Sequence, residues 1–306
     1  MPGVRSRLML LDAASLYFRA FFGVPETTTA PDGTPVNAVR GFLDMVAYLV
    51  ARERPTDLVA CMDADWRPAF RVAAVPSYKA HRLAPDGHLE VVPDTLEPQI
   101  PIIEAVLAAL GIAAVGAPGY EADDVLGTLS AHASVPTDVV SGDRDLFQVV
   151  DDAREIRVLY TGRGVRNLEI VDEKFIARKY GIPGWAYADF ATLRGDPSDG
   201  LPGVAGIGER SAASLIAGYG SIEGLLAALD DPQSGLAPGM RRRLADARDY
   251  LAVAPSVVRV ATDIALPEFD STRPTEPADP VTLVALADRW NLDSPLNHLL
   301  NALGDG

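Results

Sequence analysis

Residues 119–150 read GYEADDVLGTLSAHASVPTDVVSGDRDLFQVV, with carboxylates at Glu121, Asp123, Asp124, Asp143 and Asp145 in an otherwise mostly apolar frame. Val125, Leu126 and Leu129 continue a helical spacing behind the first three acids. Glu121 and Asp124 (i, i+3) therefore share one face of a first helical turn, with Asp123 beside them. A helix N-terminus offsets roughly 0.3 to 1 kcal/mol per negative charge, yet carboxylates this close still repel unless a metal ion or water intervenes. The run from Asp138 to Ser141 reads as a short buried strand that Gly142 ends. Asp143 and Asp145, two apart, then fall on one side of an extended chain. In an open α/β sheet, sites lie beyond such carboxyl ends. One acidic cluster in a chain with 42 Asp and Glu residues is equally well a solvated face, so the rest of the chain has to decide.

Working outward, an apolar run at 8–11 stops at Asp12 and another at 58–62 stops at Asp63. Either acid alone is more often a turn former or an N-cap. Three strands that each deliver an acid at the carboxyl end, together with the Glu121 helix, are harder to explain that way, because in a parallel sheet those ends share one edge. Helical spacing at 15–22 and 36–52 gives β-α-β order and favours a parallel sheet. A loop is expected at 25–35, a helix at 101–111, an apolar run at 112–115, and a hairpin from 156–160 and 165–171 around Thr161-Gly-Arg-Gly. The stretch 77–101 is interrupted by Pro85, Pro93, Pro98 and Pro101 while Tyr78, Lys79, His81 and Arg82 lie close together. It reads as a mobile segment over the site, with an ordinary solvated loop as the alternative.

After Glu173 the composition turns helical: 186–194, a helix from near Glu209, 221–229, and 240–260 opened by Arg241, Arg242 and Arg243. A Pro-rich linker at 267–280 and a last helical segment at 281–303 complete the chain. Within it, 195–216 reads GDPSDGLPGVAGIGERSAASLI, adding carboxylates Asp196 and Asp199. Gly203, Gly206 and Gly208 make a turn just before a helix, where backbone N–H groups can face a phosphate. A dinucleotide fingerprint would need a preceding strand, which is missing. A plain helix-helix turn stays open.

With 306 residues and 48% hydrophobic content there is room for two domains and an ample core. No uncharged apolar stretch of 18 residues is present, and the early apolar run is too short for a signal peptide, so a cytoplasmic, nucleoid setting is expected. Cys61 alone cannot form an internal disulfide, and four histidines without Cys or His pairing give no zinc signature. Any metal must be held by oxygen. The net charge of −15 argues against a nucleic-acid partner, but residues 66–83 carry Arg67, Arg71, Lys79 and Arg82 with no acid, a basic island in an acidic chain.

At these residues the chain resembles the bacterial 5′ nucleases, that is, flap endonucleases and the 5′ nuclease domain of DNA polymerase I. The resemblance runs over about 8–266. It is carried by MLLDAASLYFRAFF, the Asp63 strand end, YKAHR, GYEADDVLGTL, SGDRDLFQVV and GDPSDGLPGVAGIGERSA, in family order and near family spacing. It implies an α/β fold with a mostly parallel central sheet flanked by helices, of the 5′ nuclease, PIN-like kind, and a helical C-terminal region containing a helix-hairpin-helix. The corresponding divisions are a nuclease domain at 7–173 with an arch segment at 77–100, a DNA-binding region at 174–266, and a linker and tail at 267–306. By resemblance, Asp12, Asp63, Glu121, Asp123 and Asp124 surround one metal ion and Asp143, Asp145, Asp196 and Asp199 a second. Mg2+ or Mn2+, two ions or more, would fit such carboxylates. Lys79 and Arg82 meet the scissile phosphate. Arg19, Arg71, Tyr78, Gly203, Gly206, Ile207, Gly208, Arg210 and Ser211 contact DNA, and Val204 and Ile207 hold a K+ ion at the hairpin.

The chain departs from the family pattern at Gly200, where Asn is usual, at GERSA for GEKTA, and at MDAD for FDA. No ligand is lost; Gly200 bears on the rigidity of its loop. A monomeric enzyme is expected, with no membrane contact. Its substrates would be 5′ flaps, nicks and 5′ ends, and it would work beside a separate polymerase and ligase. Two rivals stand: a DNA-junction binder that has lost catalysis, and a phosphatase using Asp63 and Asp65, whose motif Trp66 interrupts.

Overall fold

The computed structural model describes residues 6–84 and 90–304; residues 85–89 of the expected arch segment and 305–306 of the expected tail lie outside the described residues. Six strands make one sheet: β1 (Leu8–Asp12), β2 (Asp57–Cys61), β3 (Ala113–Val115), β4 (Thr137–Ser141), β5 (Ile156–Tyr160) and β6 (Glu169–Val171). Their spatial order is β3-β2-β1-β4-β5-β6, with the first five parallel and β6 antiparallel to β5. Alternate residues face opposite cores. Leu10, Val59, Val139 and Val158 pack on one side, and Met9, Leu11, Leu58, Val140 and Leu159 on the other. Burial on both faces is why these strands read as unbroken apolar runs. The strand order reverses between β1 and β4, which places a crevice at the carboxyl ends of those two strands.

Helices α1 (Ala13–Gly23), α2 (Asn37–Glu53), the short α3 (Ala69–Ala74), α4 (Ile100–Leu110) and α5 (Ala122–His132) belong to the sheet half. Leu16, Phe42, Leu43, Val106 and Leu107 bring α1, α2 and α4 onto one face of the sheet, and Val125 and Leu126 bring α5 onto the other. The second half is helical: α6 (Glu173–Tyr180), α7 (Tyr187–Arg194), α8 (Glu209–Tyr219), α9 (Ile222–Asp230), α10 (Pro238–Asp246), α11 (Arg248–Val253) and α12 (Pro255–Val258). It is joined to the α5 side of the sheet through an aromatic knot in which Tyr187 stands 5.3 Å from Phe147 and 5.5 Å from Phe190. Fully buried aromatics in edge and tilted contacts make this junction part of the core.

Two expectations need correction. The second hairpin strand is confined to Glu169–Val171, because Val165–Asn167 turn in a 3-10 helix after Gly164. The helix expected over 240–260 is three short helices: the chain bends at Ala247 (φ −102°, ψ 9°), and Pro255 starts a new turn. Residues 267–304 of the expected linker and helical tail pack against the sheet half. Leu58 donates its N–H to the Ser271 carbonyl at 2.7 Å, and Arg273 donates to Thr56 at 2.9 Å, so this segment runs antiparallel beside the start of β2. Helices α13 (Pro280–Trp290) and α14 (Asp293–Gly304) then bury Leu283, Leu292, Leu296, Leu299 and Leu303 in the same core as α2. Polar contacts fasten them there, from His298 to Asp44 at 2.8 Å and from Arg40 to the Asn291 carbonyl.

Candidate active site

The crevice at the β1/β4 switch opens into a cavity of about 410 Å³ whose walls include Asp12, Asp63, Glu121, Asp123, Asp143 and Asp196, with Lys79 and Arg82 on its rim. Asp12 ends β1 and caps α1, accepting the Ser15 N–H at 3.0 Å while the Ser141 hydroxyl donates to its other oxygen at 2.5 Å. Asp63, just past β2, accepts the Ala122 N–H at 2.7 Å and so ties that strand end to the first turn of α5. Asp143 follows β4 and accepts the Asp145 N–H at 2.8 Å, a local turn that holds the pair together. Asp196 accepts the Ser198 N–H at 2.8 Å and closes the loop that carries Asp199. The strand-end acids and the later loop are thus brought to one place. Asp138, inside the same stretch, is not part of it: Arg7 at 2.7 Å and Arg157 at 2.6 Å pair it at the opposite end of the sheet.

Glu121 and Asp124 start α5 as a reciprocal capping box. Asp124 has no exposure and is saturated: Arg71 grips it bidentately at 2.7 and 2.8 Å, and the Glu121 and Ala261 N–H groups donate to it at 3.2 and 2.9 Å. As placed, it orients α5 and leaves Glu121, Asp123, Asp63 and Asp12 as the members of its group that border the cavity. Glu121 itself accepts from Arg71, from the Tyr78 hydroxyl at 2.7 Å and from Lys79.

Several of the expected DNA contacts are buried. Arg71 is 2% exposed, bound to two carboxylates and to the Val257 carbonyl at 3.0 Å, and Tyr78 is buried against Glu121. Both serve the interior. Gly203 is buried with φ +63°, and a Cβ there would stand 2.6 Å from the Arg194 carbonyl, so it is a packing glycine. The side chains of Val204 and Ile207 are buried too, leaving only their backbone at the turn. Gly206, Gly208 and Arg210 are exposed and Ser211 is half-buried, all near the start of α8. Arg19 stands beside Gly142, its Nε buried without a hydrogen-bond partner among the described residues.

The arch base is latched to the second acidic loop. Ser77 donates to the Gly200 carbonyl at 2.7 Å, the Lys79 N–H donates to the Asp199 carbonyl at 2.9 Å, and Arg82 reaches the Ser198 carbonyl and the Asp199 carboxylate at 2.7 and 2.8 Å. A Cβ at Gly200 would lie 2.1 Å from the Ser77 carbonyl oxygen, and its φ is +69°. Gly200 therefore permits the latch, and any side chain there would force the loop off its support.

Sequence reasoning missed Ser15, Phe18, Trp66, Arg144 and Tyr160, which also line the cavity. Arg144, exposed between two acids, was legible as a cation in the motif. The others are placed by tertiary structure.

Burial first, and mutual repulsion second, push the carboxylates up. Asp12 rises from 3.8 to about 7 despite help from Ser141 and Ser15, with Asp63 and Asp143 adding to the rise. Asp199 rises to about 6, burial outweighing Lys79. Asp63, Asp123 and Asp145 are raised by burial as well. Among the described residues, no three His, Cys, Asp or Glu side chains stand close enough to enclose a metal ion as they are. The chemistry of the donors nevertheless fits one. They are clustered carboxylate oxygens, several of them raised by burial, and the buried Asp145 Oδ1 has no hydrogen-bond partner among the described residues.

Comparisons agree with this geometry. The family model described as 5'-3' exonuclease, N-terminal resolvase-like domain, matches residues 7–181, and that described as 5'-3' exonuclease, C-terminal SAM fold, matches 182–280. A 5'-3' exonuclease of Streptomyces coelicolor is 60% identical over 301 residues, 96% of this chain and 99% of that protein. The chain also aligns with 26% of DNA polymerase I of Mycobacterium tuberculosis, at 42% identity over 242 residues, 78% of this chain. In fold it is similar to a T5 5'-exonuclease with bound zinc (TM-score 0.64, 14% identity, 97% and 98% of the two chains). It is similar also to the catalytic core of Rad2 in complex with DNA substrate (TM-score 0.60, 17% identity, 97% and 92%). The acid-ended strands, the sheet that gathers them and the helical half behind it are thus those of a known group, and the chain belongs to the 5'-3' exonuclease family.

Proposed function

We propose that this protein is a structure-specific 5′ nuclease that hydrolyses DNA phosphodiesters at 5′ flaps, nicks and 5′ ends, in replication and repair. The observation that carries the reading is one cavity walled by carboxylates from three strand ends, a helix N-terminus and a separate loop, with Lys79 and Arg82 at its rim. Asp12, Asp63, Glu121 and Asp123, with Asp124 behind them, would hold one ion. Asp143, Asp145, Asp196 and Asp199 would hold another. Mg2+ or Mn2+ suits an all-oxygen set and, when bound, supplies Lewis-acid polarisation of the phosphate and the attacking water. The residues do the rest. The acids fix where the ions would sit, while Lys79 and Arg82, exchanged from Glu121 and Asp199 onto the phosphate, offset charge that grows in the transition state. Cleavage leaves a 5′ phosphate on the downstream strand. The phosphatase reading is disfavoured because Asp65 caps the Arg67 N–H at 3.0 Å and is not among the cavity's lining residues. We place the enzyme in the nucleoid as a monomer, beside a separate polymerase and ligase.

End-labelled flap, nicked and single-stranded DNA, incubated with protein and Mg2+, tests the reading directly. Release of short 5′ products from the flap is expected; no product from any of the three would refute it. In the same assay Lys79→Ala or Arg82→Ala should slow single-turnover cleavage at saturating DNA by roughly a hundredfold. Unchanged rates would remove these cations from the chemistry.

Duplex grip is assigned to the exposed turn at Gly206 and Gly208 before α8, where a K+ ion would sit on backbone carbonyls. A bulky residue at Gly206, whose φ is +74°, should weaken binding equally for all sequences, because the turn meets phosphates and reads no bases. Binding measured from about 50 to 200 mM salt should fall steeply by counterion release, despite the acidic chain. Sequence-dependent losses or a flat salt response would count against this turn.

Metal should also act on stability. Asp12 and Asp199 have folded pKa values above their ordinary 3.8, so without metal their contribution is full below pH 3.8 and is lost as pH rises through about 6 to 7. For buried Asp12 alone the loss is on the order of 4 kcal/mol. An ion bound only by the folded state restores about 2.7 kcal/mol at a hundredfold excess over its Kd. Melting in EDTA and in Mg2+ at about pH 5 and pH 8 should give a metal-induced shift that is larger at the higher pH. Equal midpoints with and without metal at both pH values would show that these acids do not share ions.

A further inference from the structure

The carboxylate group of Asp143, Asp145, Asp196 and Asp199 has beside it a cation that does not line the cavity. Arg194, the last residue of α7, brings Nη2 to 3.9 Å from Asp145 Oδ1 and 3.8 Å from Asp196 Oδ2. Its side chain is 14% exposed, its guanidinium lies 5.5 Å over the Phe190 ring, and Nε donates to the Gly195 carbonyl at 3.2 Å. Its backbone is fixed as well. Gly203 packs against the Arg194 carbonyl, and the Val204 N–H donates to Leu193 at 3.0 Å. Lys79 and Arg82 differ, because both line the cavity and Arg194 does not. Among the described residues, the buried Arg194 Nη1 and Asp145 Oδ1 have no hydrogen-bond partner, so the pair is held by charge at a distance and is not closed by a bond.

A permanent cation between two acids has two opposite effects. It relieves their repulsion when no ion is bound, and it opposes the entry of a divalent ion, since like charges in a partly buried setting repel with little screening. We propose that Arg194 is a positioning residue that holds Asp145 and Asp196 together and makes their group the weaker of the two metal sites. That site then tightens when a phosphate adds its negative charge. The inference rests on the two-metal reading above. It assigns Arg194 no contact with substrate.

The test is titration of the protein with Mn2+ alone, without DNA, for wild type, Arg194→Met and Arg194→Gln. Bound Mn2+ is read by electron paramagnetic resonance, and folding is checked by circular dichroism. Wild type should bind two ions with unequal affinity. In the neutral variants the weaker site should tighten by about tenfold or more while the stronger one is unchanged, and melting in EDTA should fall. A residue with only a packing role would weaken metal binding when removed, so the sign of the change is diagnostic. Arg194→Lys, which keeps the charge, should stay near wild type in both readouts, and it carries the same comparison if a neutral variant does not fold. A Lys variant with a tenfold tighter second site, or neutral variants with an unchanged or weaker one, would overturn the role of Arg194. Fewer than two Mn2+ ions on wild type would overturn the two-metal reading itself, a distinct result.

Discussion

Asp143→Ala or Asp145→Ala should lower single-turnover flap cleavage by roughly a thousandfold or more while junction binding stays within a few-fold of wild type. Both acids follow β4, where Asp143 lines the cavity and Asp145 is buried with an oxygen that has no hydrogen-bond partner among the described residues. Removing either takes away charge that a second ion needs and leaves Arg194 less compensated. The duplex grip proposed for the turn before α8 is separate, because that turn belongs to the helical half. Some stability is also lost with Asp143, whose side chain holds the Asp145 N–H at 2.8 Å, so Asp143→Asn is the better control for folding. Asparagine keeps the acceptor and removes the charge. If both alanine variants turned over at near wild-type rates, the assignment of these acids to a metal would be wrong; if they failed to bind the junction, the separation of grip from chemistry would be.

How these acids could be read from sequence is a matter of strand order. Asp12, Asp63 and Asp143 each end an apolar run, and once the runs are parallel strands their carboxyl ends must meet along one edge. That inference needs only residue order and the short length of buried strands. The fate of 267–306 was not legible, because proline-rich spacing describes a linker equally well whether it is free or lies along β2. The leucines of α14 have helical spacing but carry no record of the partner they meet on α2. The break at Ala247 is likewise tertiary, with no glycine or proline to announce it.

The basic island at 66–83 is the instructive case, for a count of charges cannot tell a cation that meets DNA from one that meets an acid. Lys79 and Arg82 lie at the cavity rim, whereas Arg71 turns inward. Arg71→Ala should accordingly destabilise the fold by about 3 to 5 kcal/mol, because it leaves buried Asp124 without its cation and takes one of two cations from Glu121. The same side chain links α3 and α5 to α12 through the Val257 carbonyl, so the loss would loosen the joint between the sheet and the helical half. In a chain of this size the melting temperature should drop by roughly 5 to 10 °C. Adding Asp124→Asn to Arg71→Ala should recover part of the loss, since the double variant no longer buries that unpaired charge, and the non-additivity of the cycle measures the coupling. A surface arginine that contacts phosphate would behave otherwise: its removal would leave melting unchanged, weaken DNA binding and reduce the salt slope by about one. Denaturation and DNA titration of the same variant therefore decide between the two roles. An Arg71→Ala protein as stable as wild type would refute the internal one.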